Sequence, residues 1–258
     1  LKYEADKTIP KKTVSAQDLF FDLLKERAET GRIYIMNLDH CNSHSSFKDK
    51  VSMSNLCQEI TLPTTPIQHI DDGEGEIALC ILSAVNVGAL NDLSELENIC
   101  DLSVRALEQI IDYQDYPVKA AEVSTKKRRS LGIGYIGLAH YLAKNGVKYS
   151  DPEAWALVDR LTEAFQYHLL RASCDIAMEK GKCDGFERTK YADGLLPIDH
   201  YKKEVDEIVP HKQRMAWESL RKDIAKHGLR HSTLSAQMPS ESSSVVSNET
   251  NGIEPPRA

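Results

Sequence analysis

The stretch Ser52-Met53-Ser54-Asn55-Leu56-Cys57-Gln58-Glu59-Ile60-Thr61-Leu62-Pro63-Thr64 decides how the rest of this chain is read. In an extended backbone, side chains alternate faces with a period of two. Asn55, Cys57 and Glu59 then share one side, and Leu56, Gln58 and Ile60 the other. A thiol flanked by an amide and a carboxylate joins a redox-capable sulfur, a hydrogen-bonding group and a proton acceptor. A helix would scatter the three, at about 200° from one to the next. The same spacing also describes an ordinary half-buried strand with one structural cysteine, since free Cys is among the most buried residue types.

Working outward, Ser15 and Asp18 have the spacing of a helix start, and the apolar pattern Leu19, Phe20, Leu23, Leu24 runs to Gly31. Arg32–Leu38 reads as a strand and Asp39–Ser54 as a polar stretch. Glu76–Val87, with Cys80 inside it, is apolar on both faces, as in a buried parallel strand. Asn91–Tyr116 reads as a helix stopped by Pro117, Leu131–Ile136 as a strand, and Gly137–Asn145 as a helix closed by Gly146. Asp151-Pro152 opens a long helix to about Lys180. Shorter helices are expected over 197–208 and 211–227, and a strand over Arg230–Ser235. Strands alternating with helices favour a parallel α/β sheet or barrel. With no internal repeat and no linker, the expectation is one domain over residues 1–258.

Hydrophobic content of 41% and charged content of 28% are those of a globular protein, with no apolar run of membrane-spanning length. A net charge of −7 argues against a general nucleic-acid binder. The basic run Lys126-Lys127-Arg128-Arg129 reads as a solvated loop, with proximity to a phosphate as the other possibility. Six cysteines without dense spacing or a secretory leader point to a reducing, cytoplasmic setting. A first residue Leu1 and the ending Pro255-Pro256-Arg257-Ala258 suggest a segment of a longer protein.

Gly132-Ile133-Gly134-Tyr135-Ile136-Gly137 matches the GxGxxG dinucleotide pattern. Lys-Lys-Arg-Arg-Ser precedes it where an apolar strand should stand, and no acidic strand end follows about 20 residues on. The glycines are read instead as close strand-to-helix packing. His40, Cys41 and His44 have zinc-ligand chemistry but lack a matching pair, so no metal site is assigned. Cys174 and Cys183 read as packing residues. Met238-Pro239-Ser240-Glu241-Ser242-Ser243-Ser244 offers hydroxyls at a helix start, which describes either an anion site or a simple capped turn.

Three motifs occur in order: Asn55-Leu56-Cys57-Gln58-Glu59-Ile60, Pro239-Ser240-Glu241-Ser242-Ser243-Ser244, and Thr250-Asn251-Gly252-Ile253-Glu254-Pro255-Pro256-Arg257. Together they resemble the large (α) catalytic subunit of class I ribonucleotide reductase, over essentially the whole chain. The resemblance implies the family's ten-stranded α/β barrel with a central finger loop. It implies Cys57 as the thiyl-radical residue at the loop tip, Glu59 as general base, and Asn55 as a hydrogen-bonding partner of the reacting sugar. Cys80 would be one member of the reducing dithiol. Pro239, Ser240, Glu241, Ser242 and Ser243 would bind the substrate diphosphate, with Leu56 and Gln58 also lining the substrate site.

The resemblance further implies a ribonucleoside diphosphate substrate and a small (β) subunit carrying a metal-radical cofactor. It also implies thioredoxin or glutaredoxin as reductant, ATP and dNTP effectors, and an α homodimer. In the family the second dithiol cysteine and the effector sites lie upstream of these residues, and the radical-relay tyrosines and C-terminal cysteine pair downstream. No cofactor is therefore expected to bind this segment itself. Two other readings stand beside this one: the cobalamin-dependent class of the same superfamily, and a non-catalytic nucleotide-binding module on the same scaffold.

Overall fold

The computed structural model describes residues 2–256. They divide into two compact units, one up to Asn37 and one from Leu38 onward. In the first, the single turn α1 (Lys2–Ala5) precedes α2 (Ala16–Thr30). The Ser15 hydroxyl accepts the Asp18 N–H at 3.3 Å, and Gly31, at φ 65°, closes the helix with its N–H on the Arg27 carbonyl. Cap and glycine thus act as their spacing predicts. Residues 32–37 form no strand. Extended backbone needs a neighbour for its N–H and C=O groups, and no ladder partner for them exists among the described residues.

The second unit runs α3 (Leu38–His44), β1 (Ile81–Asn86), α4 (Glu95–Tyr113), α5 (Lys119–Arg128), β2 (Leu131–Ile136), α6 (Leu138–Lys144) and α7 (Pro152–Lys180). These are followed by α8 (Pro197–His200), α9 (Trp217–His227) and α10 (Glu241–Val246). β1 and β2 pair in parallel, from Ile81 opposite Leu131 to Asn86 opposite Ile136. Residues 233–236 lie along the other edge of β2. Leu131 N–H donates to the Thr233 carbonyl at 3.0 Å and Ile133 N–H to the Leu234 carbonyl at 2.8 Å. Only the Ile133–Ser235 pair makes a bridge, so the expected strand at 230–235 is a ragged edge. Flanked on both sides, β2 is buried at every residue. β1 is shorter than expected and mostly half-open, because β2 is its only regular neighbour among the described residues.

The core lies where α4 packs on α7 and on the strands. Leu96, Cys100, Val104, Leu107 and Ile111, spaced by three and four, bury one face of α4 against Leu161, Phe165, Leu169 and Ile176 of α7. Each large apolar side chain so buried contributes roughly 1.5–3 kcal/mol. α4 starts at Glu95 rather than Asn91 because the Glu95 carboxylate folds back to accept the Asn91 and Asp92 N–H groups, at 3.1 and 3.2 Å. α9 likewise starts late. The backbone before it is held by Glu163, whose carboxylate accepts the Arg214 and Met215 N–H groups at 2.7 and 3.2 Å.

The basic run is the largest departure from expectation. It is not a solvated loop: it ends α5, and Arg128 and Arg129 are buried. Arg129 takes φ 47° and pairs with Glu108 at 2.8 Å and Asp112 at 2.7 Å. Arg128 pairs with Glu76 at 2.6 Å and Asp49 at 2.9 Å. Clustered like charges read as solvent-exposed, and their partners lie far away in sequence. Glu108 also accepts from Arg230 at 2.8 Å and from the His231 Nε2–H at 3.0 Å, while His231 Nδ1 takes the Ser173 hydroxyl at 2.9 Å. This Ser–His–carboxylate row has the outline of a catalytic triad. All three members are sealed in the core, where no substrate reaches them.

Burial opposes ionisation of Glu108, but hydrogen bonds from His231, Arg129 and Arg230 outweigh it and hold its carboxyl down to about 2. Burial also pushes His231 below its ordinary range, so its ring is neutral. A depressed carboxyl contributes stability above its unfolded value and loses it on acidification. The Glu108 contribution, about 3 kcal/mol at one pKa unit per 1.36 kcal/mol, is therefore lost as pH falls from about 4.5 toward 2. Glu108→Ala is expected to cost on the order of 3–5 kcal/mol at pH 7, since it strands buried cations. A urea midpoint unchanged from the parent would contradict this.

Candidate active site

Residues 55–58 form a turn, closed by the Gln58 N–H on the Asn55 carbonyl at 3.2 Å. The extended backbone that the period-two pattern requires is absent. The turn unites the same groups by another route. Asn55 Nδ2 donates to Glu59 Oε1 at 2.6 Å, and Asn55 Oδ1 accepts the Ile60 N–H at 3.2 Å. Gln58 sits at φ 64°, a left-handed conformation that side-chain-bearing residues adopt at a cost and that clusters at functional sites. Leu56 and Cys57 stand exposed at the tip, and Gln58 and Glu59 are half-buried. The second Glu59 oxygen is buried without a partner among the described residues. A buried acceptor without a partner is one that a hydrogen-bond donor would satisfy.

Cys80 stands immediately before β1 and is held against β2. A Cβ at Gly132 would lie 2.7 Å from the Cys80 Sγ and 3.2 Å from the Ala236 Cβ, so the sulfur occupies the space the glycine leaves. Burial first, and the Glu59 carboxylate second, push the Cys80 thiol up to about 12. It is therefore a neutral thiol near pH 7, able to give up hydrogen rather than attack as thiolate. Glu59 is the link between the two cysteine-bearing segments: it shares a turn with Cys57 and acts electrostatically on Cys80.

Beyond Ser235 the chain bends over the β2 glycines. The Ala236 carbonyl and the Met238 sulfur fill the space beside Gly134. Gln237 Nε2 donates to the Tyr135 carbonyl at 2.7 Å, fixing the segment that leads into Pro239. The closeness read from Gly132 and Gly134 is present, but their neighbours are residues 80, 82 and 236–238 rather than a helix. Gly137, at φ 83°, makes the turn into α6. Its N–H holds the Thr250 carbonyl at 2.9 Å, and the Leu138 N–H holds that of Gly252 at 3.3 Å.

Ser240 is buried and donates its hydroxyl to Asn251 Oδ1 at 3.0 Å. No side chain caps the start of α10, while Pro239, Glu241, Ser242 and Ser243 are exposed. The two late motifs are thereby joined through Ser240 and Asn251. Sequence reasoning did not single out Gln237, met Asn251 only as part of the Thr250–Arg257 motif, and took Gly132 only as a packing residue. The signal was local in each case, a polar side chain beside a glycine motif, but its partner was not.

The remaining candidates fall elsewhere. His44 Nδ1 contacts the His200 carbonyl, and no group of three or more ligating side chains able to hold a metal occurs among the described residues. Cys174 and Cys183 are buried packing residues. No helix among the described residues is long and apolar enough to cross a membrane.

The barrel domain of ribonucleotide reductase matches residues 1–258, and the chain belongs to that family. It is 58% identical over 260 residues to the ribonucleoside-diphosphate reductase subunit alpha of Haemophilus influenzae, covering 100% of this chain and 34% of that protein. It is 55% identical over 259 residues to the corresponding subunit 1 alpha of Escherichia coli, covering 99% of this chain and 34% of the relative. With the subunit alpha of Enterobacteria phage T4 the identity is 43%, over 98% of this chain and 34% of the phage protein. The chain thus spans about a third of the length of the curated relatives it matches.

Two outcomes follow for the thiols. With an alkylating reagent at pH 8, Cys57 is expected to label fast and Cys80 slowly, as read by peptide mass spectrometry; the reverse order would contradict the geometry. Gly132→Ala forces the Cys80 sulfur aside and is expected to raise its labelling rate several-fold. An unchanged rate would show that the sulfur does not rest on Gly132.

Proposed function

We propose that this chain forms the central and later part of the catalytic barrel of a ribonucleoside-diphosphate reductase α subunit, with Cys57 at the tip of a finger loop. The observation that carries the reading is the turn itself: an exposed Cys57, with Asn55 bonded to Glu59 and Glu59 acting on Cys80. A non-catalytic binding module has no use for two thiols around a carboxylate whose second oxygen is buried and unpartnered. The names of the relatives point the same way.

In this reading Cys57, as a thiyl radical, takes the 3′ hydrogen of the ribose and becomes a thiol. Glu59 receives the 3′-hydroxyl proton on its free oxygen, while Asn55 orients both the carboxylate and the sugar. The 2′-hydroxyl leaves as water after protonation by a thiol. Cys80 and a second cysteine outside this segment supply two reducing equivalents and end as a disulfide. Return of the 3′ hydrogen from Cys57 regenerates the thiyl radical. The high affinity of Cys80 for its proton suits this role, because the sulfur keeps its hydrogen until the radical step.

Pro239, Ser240, Glu241, Ser242 and Ser243 would hold the diphosphate through N–H groups and hydroxyls, with Leu56 and Gln58 shaping the sugar side of the site. The metal-radical cofactor of the small subunit would supply the oxidising equivalent. Thioredoxin or glutaredoxin would reduce the disulfide, nucleotide effectors and an α homodimer would govern the whole enzyme, and the setting would be cytoplasmic.

The test is Cys57→Ala in the complete α subunit, assayed with small subunit, reductant and a ribonucleoside diphosphate. Turnover is expected to vanish while substrate binding persists; surviving turnover would overturn the radical role. The 258-residue chain alone is expected to show none, since its dithiol partner lies outside it, and measurable reduction by it would contradict that assignment.

A further inference from the structure

We propose that Arg128 is a positioning residue that closes the neck of the loop carrying Cys57 and sets that loop against the segment carrying Cys80, just ahead of β1. The inference rests on the reductase reading for its purpose, though not for its geometry. The basic run at the end of α5 has no part in the catalytic reading.

Arg128 ends α5 and is 3% exposed. Its Nε donates to Glu76 Oε2 at 2.6 Å, and its Nη2 lies 2.9 Å from Asp49 Oδ2. The second contact is close but off-line, so it acts as charge on charge rather than as an aligned hydrogen bond. Lys127 contacts the other Glu76 oxygen, and Arg188 the other Asp49 oxygen. Burial opposes ionisation of both acids, and these cations more than offset it, holding both carboxyls below their ordinary values.

What the acids are attached to gives the cluster its meaning. Asp49 stands eight residues before Cys57 and Thr65 eight residues after it. Thr65 is bonded to Glu76 in both directions, N–H to carbonyl, at 3.1 and 3.0 Å. The two shoulders of the Cys57 loop therefore meet at one place, Asp49 on Arg128 and Thr65 on Glu76, with the Arg128–Glu76 pair joining them. From Glu76 the chain reaches Cys80 in four residues, and the Ile77 N–H is held by the Ala120 carbonyl of α5 at 3.2 Å. Just past Asp49, Val51 is fixed by Asn42, which accepts its N–H and donates to its carbonyl, both at 2.9 Å. One guanidinium thus controls the spacing between the segment bearing Cys57 and Glu59 and the segment bearing Cys80. A lysine offers one charge centre but not the forked reach to two carboxylates.

The experiment reads the spacing through the influence of Glu59 on Cys80 and requires no turnover. Cys80 alkylation is followed by peptide mass spectrometry at fixed pH in the full chain, for the parent, Glu59→Gln, Arg128→Met and the double variant. In the parent background Glu59→Gln is expected to speed Cys80 alkylation by about threefold or more, because a nearby carboxylate raises the thiol and its removal frees thiolate. In the Arg128→Met background the same change is expected to have no effect, because the carboxylate no longer stands beside the thiol. Arg128→Lys is expected to restore part of the coupling. Equal Glu59→Gln effects in the two backgrounds would overturn the proposal, since a residue that merely stabilises the fold leaves that ratio intact. Should Arg128→Met fail to fold, Asp49→Asn, which removes one arm and keeps Glu76 bonded, is read by the same criterion. Loss of turnover in Cys57→Ala is independent of this cycle, so failure of the enzyme reading and failure of the clamp give different results.

Discussion

Two adjacent buried arginines at the end of α5 organise this part of the fold. Arg128 gathers Asp49 and Glu76, and Arg129 gathers Glu108 and Asp112. A buried guanidinium without its carboxylates costs several kcal/mol, so the segments that supply those acids are tied to one point. The left-handed backbone of Arg129 follows directly: it ends α5 and starts the chain toward β2. The segments so tied are the loop of Cys57, the approach to Cys80, α4 and the edge at Arg230–Ser232.

From that anchor the site is assembled in layers. β2 brings a face of glycine, on which the Cys80 sulfur and the bend at Ala236 come to rest. The bend carries the chain to Ser240, and Ser240 to Asn251, whose own loop is held by the turn at Gly137. The Cys57 turn, by contrast, is exposed and in strained backbone at Gln58.

The elements that were legible in the sequence are those whose signals are local. Ser15 with Gly31, and Pro152 with Gly181, mark helix ends through caps that act within a few residues. β2 was visible as a short apolar run before a glycine turn. The failures share a cause. Among the described residues, 32–37 have strand-like alternation but no neighbour to pair with, and β1 lacks a second regular neighbour that would bury it. α4 and α9 start late because carboxylates from Glu95 and Glu163 capture the backbone ahead of them.

The sequence by itself determined the chemistry on offer: Asn55, Cys57 and Glu59 in one short segment, a further thiol at Cys80, a serine-rich helix start, and their order along a ribonucleotide reductase barrel. It determined this because residue type and short spacing are properties of the chain. Tertiary structure decided which groups meet. Asn55 and Glu59 face each other through a turn rather than a strand, Glu59 acts on Cys80, and a basic run that looked solvated became the buried clamp between the two segments. Charge pairing across the fold depends on distances that only packing creates, and a carboxylate far away in sequence leaves no mark beside its arginine.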